Sequence, residues 1–482
     1  MYKFSQVDWG EDDGAGDTGL REYFVEIPEF REIIAGKMRY VIGRKGTGKS
    51  AIAEKIRIES GNRYNWFYSD LSFKDFPLSD FRSLEDKSQS GKAKFIPIWM
   101  FLIYTKLISL LLSDEGCSGD NKEKLYTFIN KNFPASDIGF SDIIKNVTSN
   151  RAKVLFFNVL SAGHDRTNEC QTYVHYARVT DSLRDLLGNM KSNSFFFMLF
   201  DELDEDFSAN SKSFQLVLLS LFRAIELVYK NLNKSGNINF RPVLFLRSDI
   251  FDSLKDNDLN KLDDYIFRLN WSQYSGSDYD LKSVVEARIK ASLGNRDATW
   301  DYIVDEFDLD KPTYMNSLWD FMLNRTYERP RDIIKFLKLC RKKNVPGMLT
   351  AEYIKKAEID YSKWLFKELD NELYAHNKIW DKAAMLISNI GKNVFDRREL
   401  EEKFLEDREV SEYLKKENKD PIYLTEMLFN FGIIGTIEPT SQRWIFKYKD
   451  EMLPFNQHAK LIVHYGLIKK FRLQITSIQK QC

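Results

Sequence analysis

Two apolar patterns alternate through the first half of this chain. Short runs dense in apolar and aromatic residues predict strands at Met38–Ile42, Tyr64–Ser69, Phe195–Phe200, Pro242–Leu246 and Tyr265–Trp271. Strands buried in a parallel sheet are apolar on both faces, which is why such runs need not alternate. Between them, apolar residues recur every three or four positions and predict helices. One leaves the first strand over Ala51–Arg57. Another spans about Lys212–Asn231, with Phe214, Val217, Leu218, Leu221, Phe222, Ile225 and Val228 on its buried face. A helical lead-in over about Leu20–Ala35 precedes the first strand. A mainly helical stretch from about Phe95 to Met190, with polar loops at Ser113–Asn121 and Ala162–Asn168, separates the second strand from the third. Strands alternating with helices imply an α/β fold built on a parallel sheet.

From Asp278 onward the pattern is helical, with segments expected at Leu281–Ala291, Thr299–Phe307, Tyr314–Leu323, Pro330–Cys340 and Ala351–Leu373. After residue 377 the character changes. Helices at Trp380–Asn389, Arg397–Leu405 and Pro421–Phe431 lead through Gly432 to a strand at Ile433–Ile437. A turn at Pro439–Gln442 and a strand at Trp444–Tyr448 follow. Three helices and a hairpin are the order of a winged helix. The chain therefore divides into a core over 1–275 with a helical insertion at about 90–190, a helical lid over 276–376, and a winged-helix-like domain over 377–482 that ends in a basic tail.

Composition changes this picture little. The 482 residues hold 71 Lys+Arg and 71 Asp+Glu, so bulk charge points to neither nucleic acid nor a membrane surface. Any such contact needs a local patch. Cys117, Cys170, Cys340 and Cys482 form no CxxC pair, and the histidines are equally scattered. That argues against a zinc site or a disulfide framework and fits a reducing cytoplasm. The first residues, Met1–Gln6, lack an apolar signal segment. The run Phe95–Leu112 is of nearly spanning length, but Pro97, a central Lys106 and the lack of basic flank asymmetry make it a buried core helix. The acidic, Gly-rich Asp8–Gly14 reads as flexible.

The chemistry begins at Gly43-Arg44-Lys45-Gly46-Thr47-Gly48-Lys49-Ser50, between the first strand and the helix opening at Ala51. This matches G-x-x-x-x-G-K-[ST] at each fixed position. Glycines let the backbone aim N–H groups at phosphates, and the helix N-terminus adds its dipole. Lys49 is placed to reach the β- and γ-phosphates, and Ser50 to offer its hydroxyl to Mg²⁺. The third strand ends in Asp201-Glu202. A carboxylate at the C-terminal end of a buried strand suits Mg²⁺ (Asp201), and its neighbour Glu202 suits a general base for an attacking water. Arg247 or Ser248, after the Pro242–Leu246 run, is a candidate γ-phosphate sensor. Arg268 is a candidate finger toward a neighbouring subunit. Arg329-Pro330-Arg331-Asp332 opens a lid helix with Pro in its first turn, so that Arg331 or Arg329 is a candidate to neutralise phosphate charge. The third helix of the C-terminal domain has no Lys or Arg, which disfavours sequence-specific DNA readout. Arg443, Lys447, Lys449, Lys460, Lys469, Lys470, Arg472 and Lys480 instead make the wing and tail basic, a face for phosphates or for a docking partner.

Together, GRKGTGKSA, LFDELDE, LFLRSDIFD, RLNW and RPRDII resemble AAA+/STAND-type P-loop ATPases, with lid and winged helix arranged as in origin-recognition-complex ATPases. Within that class the chain is most similar to a family of bacterial P-loop ATPases, several of which sit in mobile or phage-defence gene neighbourhoods. The resemblance runs over about residues 15–470. It implies ATP and Mg²⁺ as ligands, Lys49, Ser50, Asp201 and Glu202 as the hydrolytic set, and Arg247 and Arg331 as sensors. Two departures stand out: the interval between the two motifs is long, and no unambiguous arginine finger precedes the last strand. The expected function is an ATP-hydrolysing switch controlling a partner protein or a nucleic-acid transaction such as bacterial defence, with any destructive activity on another chain. A nucleotide-gated interaction module with negligible turnover, a DNA-binding ATPase acting through the basic tail, homo-oligomeric assembly and a preference for GTP all stay open. No nuclease, protease or nucleotidyl-transferase constellation is evident, and no membrane contact is expected.

Overall fold

The computed structural model describes residues 2–12, 14–86, 89–133, 139–148, 176–204, 211–233, 236–308, 315, 317–438 and 443–475. The expected loop at 162–168, the helical stretch across 149–175, the turn at 439–442 and Lys480 lie outside them. The chain forms two compact units. A sheet unit comprises Glu26–Arg44 and Lys49–Leu269, and a helical unit comprises Met1–Val25, Lys45–Gly48 and Asn270–Cys482.

The sheet unit is α/β. Its strands are β1 (Tyr40–Ile42), β2 (Trp66–Ser72), β3 (Phe195–Asp201), β4 (Asn239–Leu246) and β5 (Ile266–Arg268), in the order β2-β3-β4-β1-β5. All four pairings are parallel. The unbroken apolar runs are explained by position: Phe196 to Phe200 and Val243 to Leu246 lie within the sheet and are buried. The Ile96–Ser113 helix meets the length and apolarity of a membrane span, yet 67% of it is buried inside the protein. It packs on the Lys212–Asn233 and Tyr176–Leu187 helices. Trp99 anchors it, donating its indole N–H to the Val217 carbonyl at 3.1 Å and packing against Phe73, Phe76 and Phe81. Side chains of this size each stabilise the fold by roughly 1.5–3 kcal/mol when fully buried. The abundant Phe and Trp thus fill a core. The lead-in helix breaks in two, Leu20–Tyr23 and Pro28–Ile34, because Pro28 can only open a helix.

In the helical unit, helices Leu281–Leu293, Pro330–Arg341 and Ala351–Leu373 share a core with Phe4, Val7 and Trp9. This overturns the expectation of a flexible acidic N-terminal stretch. Trp9 is 1% exposed, and Asp12 pairs with Lys335 and Lys338 at 2.6 and 2.8 Å. The Leu281 helix is bounded as its sequence dictates, with Asp280 accepting from the Ser283 N–H and Gly294 closing in the left-handed region. The helix expected at Thr299–Phe307 reduces to a single turn, Trp300–Tyr302. There the Glu306 carboxylate folds back to accept from the Trp300 indole and the N–H groups of Leu318 and Trp319. Further on, helices Trp380–Met385, Arg397–Glu406, Arg408–Lys416 and Pro421–Asn430 accompany a four-stranded antiparallel sheet. Its strands are β6 (Val394–Phe395), β7 (Ile434–Ile437), β8 (Trp444–Ile445) and β9 (Leu461–Val463), in the order β6-β9-β7-β8. The Arg408–Lys416 helix and strands β6 and β9 were not expected.

Candidate functional site

In the sheet unit, the predicted residues converge at the C-terminal ends of β1, β3 and β4. The glycine-rich loop leaves β1 pinned at its base: the Gly43 N–H donates to the Leu246 carbonyl at 3.1 Å, and the Ser248 N–H to the Gly43 carbonyl at 3.2 Å. Gly46 and Gly48 have φ of +81° and +100°, which side chains rarely tolerate. The Lys49–Asn62 helix follows at once, with Ser50 and Ala51 in its first turn.

Lys49 turns its ammonium inward, donating to the carbonyls of Gly43 at 2.9 Å and Arg44 at 3.0 Å. Burial brings its pKa down to about 8, against the nearby charges of Asp201 and Asp204. Asp201, at the end of β3, accepts from the Glu202 N–H at 2.9 Å and from the Ser50 hydroxyl. Burial raises its pKa above the usual carboxylate value even with those donors and the Lys49 charge beside it. A lysine, a hydroxyl and a carboxylate, each half-buried, thus share one locus. Glu202 adopts a left-handed backbone, φ +53°, which is unusual for a non-glycine residue. Its exposed carboxylate accepts from the Ser72 hydroxyl at 2.5 Å. Ser72 is in place because it pairs with Asp201 in the β2–β3 register.

Arg247 follows β4 and is buried. It holds Asp249 through two nitrogens at 3.0 and 2.7 Å and reaches Asp204 at 3.1 Å. Ser248 is engaged through its backbone at Gly43. Arg268 is half exposed and pairs with Asp252 at 2.9 Å. Ser72, Asp204 and Asp249 were not singled out in the sequence. The only signal for them is a polar residue at each strand end.

The helical unit takes in the loop tip, Lys45–Gly48. Arg329, 1% exposed, donates to the Lys45 carbonyl at 2.9 Å and pairs with Asp332 at 3.0 Å and Glu372 at 2.5 Å. Burial works against its charge, but the two carboxylates outweigh burial and leave its pKa raised. Arg331 uses its backbone N–H on the Gly46 carbonyl at 3.3 Å, and a Cβ on Gly46 would come within 3.0 Å of the Arg331 Cβ. Its guanidinium meets Glu368 at 3.1 Å and the Asp12 carbonyl at 3.1 Å. Lys45 lies 3.5 Å from the same Glu368 carboxylate, and the Trp271 indole donates to the Thr47 carbonyl at 2.7 Å. Glu368 and Glu372 were likewise invisible beforehand, and Trp271 was noted only as the end of the last strand.

Among the described residues no group of three His, Cys, Asp or Glu is arranged to hold a metal by itself. The basic tail is partly engaged within its own unit: Lys449 pairs with Glu328 at 2.5 Å, Lys447 donates to the Leu453 carbonyl, and Lys470 lies over the Phe366 ring. Residues 279–370 match the family model described as the FunZ-associated C-terminal helical domain. That segment carries Arg329, Arg331 and Glu368. No curated protein matches the chain.

Proposed function

We propose that the chain is a Mg²⁺-dependent ATP-binding and ATP-hydrolysing switch of AAA+/STAND type, acting on a partner in bacterial defence. The observation that carries this reading is the Ser50 hydroxyl on the Asp201 carboxylate with the Lys49 charge beside it. In this reading Gly43–Ala51 is a phosphate-binding loop whose N–H groups cradle phosphate oxygens. Lys49 leaves its loop carbonyls to pair with the β- and γ-phosphates. A half-buried carboxylate and a hydroxyl suit a hard cation that completes its shell with phosphate and water, so Asp201 and Ser50 would hold Mg²⁺. When bound, that ion neutralises charge on the phosphate oxygens. Glu202, kept open to water and oriented by Ser72, takes the proton from the attacking water. Arg247, gripped by Asp204 and Asp249, steadies the acidic strand ends. Arg331 supplies positive charge at the loop tip, where its backbone N–H meets the Gly46 carbonyl. The C-terminal helices and four-stranded sheet are read as a winged helix that docks a partner protein, and the FunZ-associated match accords with a defence or mobile-element setting.

Phosphate release from ATP is the test, using wild-type, Lys49→Ala and Glu202→Gln protein, with and without duplex DNA, and with the mass measured in each nucleotide state. We expect Mg²⁺-dependent turnover lost in both variants. Its absence under every condition removes the hydrolytic reading. A second reading, a nucleotide-gated module with negligible turnover, draws on the engagement of Arg247 and Arg331 by carboxylates. Partner binding that needs ATP but ignores Glu202→Gln selects it.

A further inference from the structure

One carboxylate in the helical unit pairs with two of the cations at the loop tip. Glu368 Oε1 lies 3.5 Å from Lys45 Nζ and 3.1 Å from a guanidinium nitrogen of Arg331. Its side chain is only 13% exposed, so these pairings are less screened than surface ion pairs. The remaining acids of the Ala351–Leu373 helix that make ion pairs are committed elsewhere: Glu352 to Lys356, Glu358 to Arg325, Asp360 to Lys343 and Glu372 to Arg329. Glu368 is thus the acid of that helix whose charge is directed at the loop. The other contact of the Arg331 side chain is with a backbone carbonyl, that of Asp12, which carries no net charge to compete with an anion.

We infer that Glu368 is an intramolecular stand-in for the terminal phosphate of a nucleoside triphosphate, holding Lys45 and Arg331 until that phosphate displaces it. The inference rests on the nucleotide-binding reading above. A terminal phosphate offers three oxygens and more than one negative charge where a carboxylate offers two oxygens and one charge, so it is the stronger partner for a lysine and an arginine together. A diphosphate has no group to put there. Glu368 therefore taxes triphosphate binding specifically, and its release marks the triphosphate state on the Ala351–Leu373 helix.

The experiment is equilibrium binding of a non-hydrolysable ATP analogue and of ADP to the full chain, as wild type, Glu368→Gln, Glu368→Gln/Lys45→Ala and Lys49→Ala. Glu368→Gln, which keeps the side chain's shape, is expected to tighten the triphosphate by roughly three- to tenfold and ADP by less than about twofold. Adding Lys45→Ala is expected to cancel the gain. In the wild type, amide exchange near residues 365–373 is expected to rise with the analogue but not with ADP, which tests the inference without any variant. Equal shifts for both nucleotides, or weaker triphosphate binding, overturn it while Lys49-dependent binding stands. Binding indifferent to Lys49→Ala overturns the nucleotide reading and this inference with it.

Discussion

Lys49 spends its ammonium on the carbonyls of its own loop, and burial keeps its pKa near 8. A bound polyphosphate favours the protonated form, so binding must return the proton that the free protein loses as pH rises. On the proposed reading the sign follows: nucleotide affinity should be constant below about pH 8 and fall above it, by about tenfold per pH unit until the pKa of the bound state is reached. Titration of affinity between pH 6.5 and roughly 9.5 checks this, with a flat profile counting against it. The same ionisation acts in the opposite sense on folding. A lysine depressed in the folded state makes stability rise with pH between about 8 and its ordinary value of 10.5. Lys49, Ser50, Asp201 and Glu202 were legible in the sequence because fixed spacing or a strand end marks them. Their partners were not. Ser72 and Glu202 are 130 residues apart and Arg329 and Glu372 are 43 apart, and a serine or glutamate at such a distance carries no local signature.

Among the elements, the Pro330–Arg341 helix separates two arginines that looked interchangeable. Arg329 is closed in by Asp332 and Glu372, so truncating it strands two buried carboxylates. Arg331 is partly exposed and shares its partner with Lys45. Arg329→Ala should cost about 3–5 kcal/mol of stability and Arg331→Ala less than about 1 kcal/mol. Denaturant unfolding of the two variants reads the contrast, and equal losses would erase the division of labour. Fully buried strands such as β3 and β4 were readable because apolarity on both faces leaves little alternative. The Arg408–Lys416 helix was not, since Val410 and Leu414 are its only buried residues and Asp407 ends one helix while capping the next. At Thr299–Phe307 the helical pattern was present, but the Asp305 N–H donates to the Leu349 carbonyl and the Ile303 carbonyl accepts from the Leu349 N–H, so the chain leaves the helix after one turn.

The helical unit holds its N-terminal residues against residues far along the chain. The Phe4 N–H donates to the Gly347 carbonyl, Asp8 meets Ser292, and Arg288 and Arg341 donate to the carbonyls of Trp9 and Val7. Apolar Phe4, Val7 and Trp9 alternate with polar residues in a pattern too short to betray a core, which is why the acidic neighbours dominated the reading. Trp9→Ala should destabilise the helical unit by about 3–5 kcal/mol, seen as a lower unfolding midpoint. An unchanged midpoint would mean the N-terminal residues contribute little. The arrangement also has a consequence in time. A ribosome adds about 5–20 residues per second, so Trp9 emerges on the order of 15–60 s before Val285, the nearest of its later core partners along the chain. Through that interval three apolar side chains wait uncovered, and a holding chaperone has something to grip until the later part of the chain arrives.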